Sequence, residues 1–312
     1  MMRLSFRRIS RPDLKHSHSP NHANKMKNKY HGLPTSHFSI LTGLALLLMI
    51  VGESFAGSQL MVIPKRIVFS ENMRSAQVTI INSGDEAGTF RISLNNKRMS
   101  LDGRLEAAEK AESGDLFADK IIRYSPRQVV LEPGKSQIVR LGLRKPSGLE
   151  DGEYRSHMLF RAIPLDVGKD IKETVNSSNN VTIKLTAIVG ISIPIIVRHG
   201  NTDAGVTIVS AKLVPRQPKE DNPHIMMEFE RSGNRSVYGD ILAEFITKDG
   251  ERKIVSQVGG IAVYTPGTKR RLKLPVIVPP DVELKNGSIQ VFYRSPVEQG
   301  GKVMAQTQIK IP

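Results

Sequence analysis

The stretch Val181-Thr-Ile183-Lys-Leu185-Thr-Ala187-Ile-Val189-Gly-Ile191-Ser-Ile193 places an apolar residue at every odd position and polar residues at the even positions up to Thr186. Because side chains alternate faces along a strand, this pattern predicts a strand with one continuous apolar face. The pattern runs for thirteen residues, whereas a typical strand has about five or six. A strand of this length either crosses between two domains or offers part of its length to another molecule, and we expect both.

The first 56 residues predict a secretory signal peptide. Three lysines, at positions 25, 27 and 29, precede the apolar run Ser39–Val51, and Ser54-Phe-Ala56 follows it with a small-x-small cleavage pattern. A thirteen-residue apolar run is short for a membrane-spanning helix. We expect export with cleavage after Ala56, from a start at Met1 or at Met26. An uncleaved signal anchor is the alternative.

The composition of the mature chain excludes several classes of function. Residues 57–312 carry 37 Lys/Arg and 28 Asp/Glu, interspersed and with few aromatic residues, so no nucleic-acid-binding surface is predicted. The chain has no cysteine, which excludes thiol catalysis and leaves stability to core burial. Only three histidines fall in the mature region, far apart in the sequence, so neither a metal site nor a cofactor is expected.

The mature chain is predicted to be all-β, with two immunoglobulin-like β-sandwich domains. We expect the first domain at 57–198, a polar linker at 199–204 and the second domain at 205–312. The strands predicted in the first domain are Gln59–Phe69, Ala76–Asn82, Thr89–Lys97, Val129–Leu131, Gln137–Arg144, Glu153–Pro164 and Val181–Arg198. Those predicted in the second are Gly205–Val214, Ile225–Glu230, Asp240–Thr247, Lys253–Val258, Arg271–Val278 and Ser288–Tyr293. A turn or two of helix is expected at Ala107–Glu112.

No motif indicates an enzyme. Gly134-Lys-Ser136 lacks the upstream glycine of a phosphate-binding loop, because position 129 is Val129, and it is interpreted as a β-turn. No G-x-S-x-G segment occurs to hold a nucleophilic serine. The carboxylate pair Glu150-Asp151 falls in a predicted turn, where solvated charge is the ordinary interpretation.

Two features indicate binding instead, and each has a plainer interpretation. Arg66 follows the apolar segment Val62-Ile-Pro64, and it is either an outward-facing arginine on an edge strand or an arginine in a cleft that binds a carboxylate. The long strand Val181–Ile193 is either paired on both margins or is an exposed edge in its first half. An exposed apolar edge can be lent to an incomplete sheet of another protein.

Four motifs in this order resemble the PapD-like periplasmic chaperones of chaperone–usher pilus assembly. Pro64-Lys-Arg-Ile-Val-Phe69 resembles the family's first strand, and Leu131-Glu-Pro-Gly-Lys-Ser-Gln137 resembles its L-E-P-G turn. Glu153–Pro164 resembles the penultimate strand, which ends in R-x-I-P, and Val181–Ile193 stands at the subunit-capping strand. The second domain resembles the family in architecture only.

The resemblance implies a periplasmic, non-enzymatic chaperone with its two domains in an L-shaped arrangement. Its capping strand, about 181–191, would insert Val181, Ile183, Leu185, Ala187 and Val189 into a pilus or fimbrial subunit before delivery to an outer-membrane usher. A self-dimer that caps the same edge is left open. A secreted two-domain adhesin or structural surface protein is the alternative function.

The resemblance also implies a carboxylate anchor built from an arginine and a lysine. Arg66 matches the arginine, but the lysine is absent, since its position falls at Ser192 or Pro194. Arg198 or Lys184 could replace the lysine only if the geometry brings one of them to Arg66.

Overall fold

A computed structural model of the chain describes residues 59–70, 72–164, 190–216, 222–280 and 282–312, all of which belong to one compact unit. These residues form eighteen β-strands and a short 3-10 helix at Val297–Gln299, with no α-helix among them. The prediction of an all-β chain is therefore confirmed. The predicted signal peptide lies outside the described residues. Within the described ranges, no helix has the length and apolar character needed to cross a membrane.

The strands before residue 200 build the first sandwich. In chain order they are β1 (Leu60–Ile63), β2 (Ile67–Phe69), β3 (Ser75–Asn82), β4 (Gly88–Asn95), β5 (Lys97–Met99), β6 (Leu105–Ala107), β7 (Ile122–Ser125), β8 (Gln128–Leu131), β9 (Ser136–Leu143), β10 (Gly152–Ile163) and β11 (Gly190–His199). Nine of them form two sheets, in the spatial orders β1-β3-β9-β7 and β2-β11-β10-β4-β8. Alternate residues of both sheets are buried in a common core, which includes Val78, Phe90 and Phe160.

The first strand differs from the prediction, because Gln59–Phe69 is two strands in different sheets. β1 pairs antiparallel with β3, and β2 pairs in parallel with β11. Pro64 follows β1 directly and has no N–H to donate to a strand neighbour, so the first ladder ends there. The change of sheet brings Arg66, which directly precedes β2, beside β11.

The expected helix at Ala107–Glu112 is wrong. β6 ends at Ala107 and pairs antiparallel with β5 as a separate hairpin, and the residues that follow are turns and bends. The guanidinium group of Arg98, in β5, forms ion pairs with two carboxylates of this segment, those of Glu112 at 2.7 Å and Asp115 at 2.6 Å. These ion pairs and the hairpin ladder override the helix propensity of a short Ala- and Glu-rich run.

The strands from residue 204 onward build a second sandwich around its own core. They are β12 (Ala204–Val214), β13 (His224–Gly233), β14 (Val237–Ile246), β15 (Arg252–Val263), β16 (Lys269–Pro275), β17 (Gly287–Arg294) and β18 (Val303–Ile311). Their two sheets have the orders β12-β13-β16 and β15-β14-β17-β18. β18 was missing from the sequence prediction.

The two sandwiches meet at a small buried cluster. Ile196 of β11 packs there with Ala262 and Tyr264 of the second sandwich. Ile196 is free to do so because it lies at an even position of β11, whereas Ile193, Ile195 and other odd-numbered residues face the first core. β11 therefore contributes one face to the first core and the other to the junction.

Candidate partner-binding edge and carboxylate cleft

The outer margin of β11 is only partly covered. On one side β11 pairs with β10 along its whole length, from Gly190 to His199. On the other side β2 pairs with Ile195–Val197 alone. Among the described residues, nothing pairs with the outer margin at Gly190–Pro194. Pro194 fits such a place, since a proline within a strand is confined to an edge or a bulge.

The apolar face predicted for this strand is observed where the strand is described. Ile193, Ile195 and Val197 are buried in the first core, and Ile191 packs partly buried against it. The predicted capping residues Val181, Ile183, Leu185, Ala187 and Val189 lie outside the described residues. Their odd positions continue the same alternation, so a strand extended backwards from Gly190 would present them on the same face.

Arg66 lies between the two sandwiches. Its Nη1 donates a hydrogen bond to the Tyr264 hydroxyl at 3.3 Å, and its guanidinium lies 4.3 Å from the centre of the Tyr238 ring. Both tyrosines belong to the second sandwich. The side chain is half-buried, and no carboxylate among the described residues forms an ion pair with it. Of the two positions considered for Arg66, the structure shows the one between the sandwiches, and its binding of a carboxylate stays a prediction.

Of the two residues considered as replacements for the missing lysine, only Arg198 is described. Its Nε contacts Oε2 of Glu153 at 3.3 Å, and the Glu153 carboxylate is fully buried. Arg198 is therefore already paired within the chain. Lys184 lies outside the described residues.

A cleft of about 260 Å³ opens between the sandwiches beside Arg66 and Arg198. Arg235 lies on its opposite wall, with Tyr238 and Ser236. Its walls carry three arginines, and among the described residues only the Glu153 carboxylate forms an ion pair with one of them. A cleft with this excess of positive charge favours anions. Among the residues that the structure describes, no group of histidine and acidic side chains could hold a metal ion.

Two residues that sequence reasoning missed lie on the same side of β10 and β11. Arg155 is 3% exposed and His157 is 1% exposed. Arg155 pairs across the ladder with Ile196, and His157 pairs with Pro194, so both side chains point towards the junction with the second sandwich. Each was interpreted as an ordinary residue of a strand that resembles a family motif. Their only signal in the sequence is a pair of basic groups at alternate positions of an otherwise apolar strand.

Burial keeps His157 neutral. Loss of hydration, with the nearby charges of Arg155, Lys97 and Arg66, lowers the pKa of His157 to about 3. The ring also lies edge-on to the Tyr264 ring, with 6.3 Å between their centres. A positive imidazolium in this place would be both poorly solvated and repelled by its neighbours.

His157 should therefore make the folded chain acid-sensitive. Between pH 6.5 and about 3, His157 is protonated in the unfolded chain and neutral in the folded chain. The free energy of unfolding therefore decreases as the pH falls through this range. The expected slope is about 1.4 kcal/mol per pH unit. Urea unfolding at pH 6.5, 5.5 and 4.5 measures it, with His157→Phe as the comparison. Parallel stability curves for the two proteins would contradict a neutral buried histidine.

The comparisons with known proteins return chaperones. No protein-family model matches the chain, and no curated protein matches it. Among solved structures, the chain is similar to the YadV chaperone at 11% identity, with 81% of this chain and 99% of that one covered and a TM-score of 0.42. It is also similar to the class 5 fimbriae chaperone CfaA, at 15% identity, 81% and 100% coverage and a TM-score of 0.39. It is also similar to the CupB2 chaperone of Pseudomonas aeruginosa, at 10% identity, with 81% of this chain and 100% of that one covered and a TM-score of 0.40. At this level of similarity, the function has to be argued from the residues of the chain itself.

Proposed function

We propose that this chain is a periplasmic chaperone that caps pilus or fimbrial subunits whose β-sandwich lacks a strand. It lends them the free margin of β11 together with residues 181–189, and then passes them to an outer-membrane usher. The uncovered margin at Gly190–Pro194 is the observation that carries the proposal, because it can accept a further strand without disturbing any pairing within the chain.

The physical basis of capture is strand addition. A sandwich without one strand exposes a groove of apolar side chains and a row of unpaired backbone groups. Main-chain hydrogen bonds to the lent strand satisfy the backbone, and alternate side chains fill the groove. In this proposal Arg66 binds the carboxylate at the end of the subunit chain, since a guanidinium can donate two parallel hydrogen bonds to a carboxylate.

Co-expression with candidate pilus subunits, followed by hydrogen exchange, tests the proposal. We expect a one-to-one complex in which the amides of Gly190–Ile193 that point away from β10 exchange roughly a hundredfold more slowly than in the free chain. β18 is an edge strand of the second sandwich. Met304 near its start lines the cleft, so its last residues, Gln308–Ile311, serve as the control whose exchange should not change. If a complex forms but leaves the β11 amides unaltered, β11 is not the lent strand.

A further inference from the structure

Three residues on one face of β10 and β11 bury polar atoms without partners. They are Arg155, through Nε and Nη1; His157, through both ring nitrogens; and Ser192, through its hydroxyl. Within the described residues, none of these five atoms has a hydrogen-bond partner. His157 lies opposite Pro194, Arg155 opposite Ile196 and Ser192 opposite Leu159. Directly opposed residues of an antiparallel pair share a face, so the five atoms lie together along one side of two adjacent strands.

An unpartnered buried guanidinium costs stability, which calls for an explanation. Arg155 retains one hydrogen bond, from Nη2 to the carbonyl of Thr265 at 3.1 Å, and it stacks 4.2 Å above the centre of the Tyr264 ring. Burial lowers the pKa of the Arg155 guanidinium, and the positive charge of Arg66 lowers it further. No described carboxylate forms an ion pair with Arg155.

Arg231 provides the comparison within the same chain. It is also buried, at 4% exposed, but it donates to four carbonyl oxygens, those of Gly267, Ser232, Gly233 and Arg235. This is how a buried arginine with a structural role satisfies its donors. Arg155 has a similar degree of burial and one such bond, so its remaining donors are left for something outside the chain.

Arg66 and Arg155 both contact Tyr264. The Tyr264 hydroxyl accepts the hydrogen bond from Arg66, and the Tyr264 ring lies against the Arg155 guanidinium. β11 runs between β2 and β10, and its Pro194, one of the two positions at which the resemblance places the missing lysine, lies opposite His157, two residues along β10 from Arg155. We propose that Arg155, from the neighbouring strand, is the second cation of the carboxylate site, and that Ser192 and His157 supply its neutral donors. This inference rests on the proposed function, because it adds a residue to the same anchor.

The charge balance supports a carboxylate as the ligand. Two guanidinium groups that share one aromatic neighbour repel each other, and one carboxylate between them would neutralise part of that repulsion while accepting several of the unused donors. The carboxylates of Glu153 and Asp115 attract the Arg155 guanidinium, but each is already paired, with Arg198 and Arg98 respectively. A neutral amide would accept fewer hydrogen bonds than a carboxylate and would add no negative charge. The site should therefore prefer a free chain end to a blocked one.

Titration of the exported chain with N-acetylglycine tests the assignment, with N-acetylglycinamide as the uncharged match. In a ¹⁵N-arginine-labelled sample, we expect the Nε–H signals of Arg66 and Arg155 to shift with the acid and not with the amide. Arg155→Leu should weaken acid binding roughly tenfold or more, and Arg155→Lys should weaken it less. The unfolding midpoint of Arg155→Leu should stay the same or rise, because the variant removes an incompletely paired buried charge.

The results test the role of Arg155 separately from the proposed chaperone function. If Arg155→Leu unfolds more easily and binds the acid as tightly as the unchanged protein, then Arg155 is structural and the inference is overturned. The inference is equally overturned if the Arg155 signal of the unchanged protein does not respond to the acid, even when the variant cannot be folded. Slowed exchange of the β11 margin on subunit binding would leave the proposed function standing in either case. If subunit binding does not slow that exchange, the proposed function is overturned, and a response of Arg155 to the acid would then show only that the cleft binds a carboxylate.

Discussion

Replacing Ile183 and Leu185 together by aspartate is expected to abolish subunit capture while leaving the chain folded. Each aliphatic side chain contributes about 1.5–3 kcal/mol when it moves from water into a groove, and each new carboxylate would have to be buried without a partner. The affinity should therefore decrease by a factor on the order of a thousand or more. Both residues occupy odd positions, in phase with Ile191 and Ile193, whose described side chains face the first core.

The measurement is co-purification with a subunit and titration of the separated partners. The matched control is Lys184→Asp/Thr186→Asp, which adds carboxylates at even positions of the same segment, positions that a lent strand would turn away from the groove. The control should still capture the subunit. Equal capture by both double variants, with unfolding midpoints like that of the unchanged chain, would contradict the lending of this strand.

Replacing Arg198 by alanine is expected to destabilise the chain by about 3 kcal/mol, near the lower end of the range for breaking a buried ion pair. The Glu153 carboxylate is fully buried, whereas the Arg198 side chain is 30% exposed. Removing the guanidinium leaves a carboxylate that can neither reach water nor find another cation at the same distance. Urea unfolding of the variant, compared with the unchanged chain, measures the loss.

The double variant Glu153→Leu/Arg198→Leu should recover most of that stability, because it removes both charges and fills their space with apolar groups. Recovery would show that Arg198 mainly neutralises Glu153 and is not the second cation of the carboxylate site. A change of less than about 1 kcal/mol in Arg198→Ala would contradict the pair, and it would make Arg198 a candidate for the anchor again.

The sequence predicted strands best where apolar and polar residues alternate regularly and the apolar face is buried. β11 was predicted because its odd positions are apolar without interruption, and those that are described are buried as expected. β18 was missed because Val303–Ile311 mixes Gln, Thr and Lys into its alternation at the edge of a sheet. The break between β1 and β2 was missed because the apolar segments Val62-Ile63 and Ile67-Val-Phe69 lie close on either side of it and were interpreted as one strand. A periodic pattern reports which face is buried, and it does not report which sheet a strand joins.

Of the two arginines proposed for the carboxylate site, only one could be predicted from the sequence, for a related reason. Arg66 could be named because a motif resembles the family at that position. Arg155 could not be found in this way, because its importance arises from the register between β10 and β11 and from the approach of Tyr264 from the other sandwich. Charged residues on a strand usually face solvent, and only tertiary structure identifies one that does not.

The hairpin of β5 and β6 has a mechanical consequence. The connection at residues 200–203 alone would act as a hinge, about which either sandwich could swing. The carbonyl of Leu101, at the tip of the hairpin, accepts a hydrogen bond from the backbone N–H of Arg271, and Gly103 next to it leaves room only for the Arg270 side chain. With this second contact beside the connection, we expect the angle between the two sandwiches to vary less than the connection alone would allow, so that the width of the cleft is set before anything binds in it.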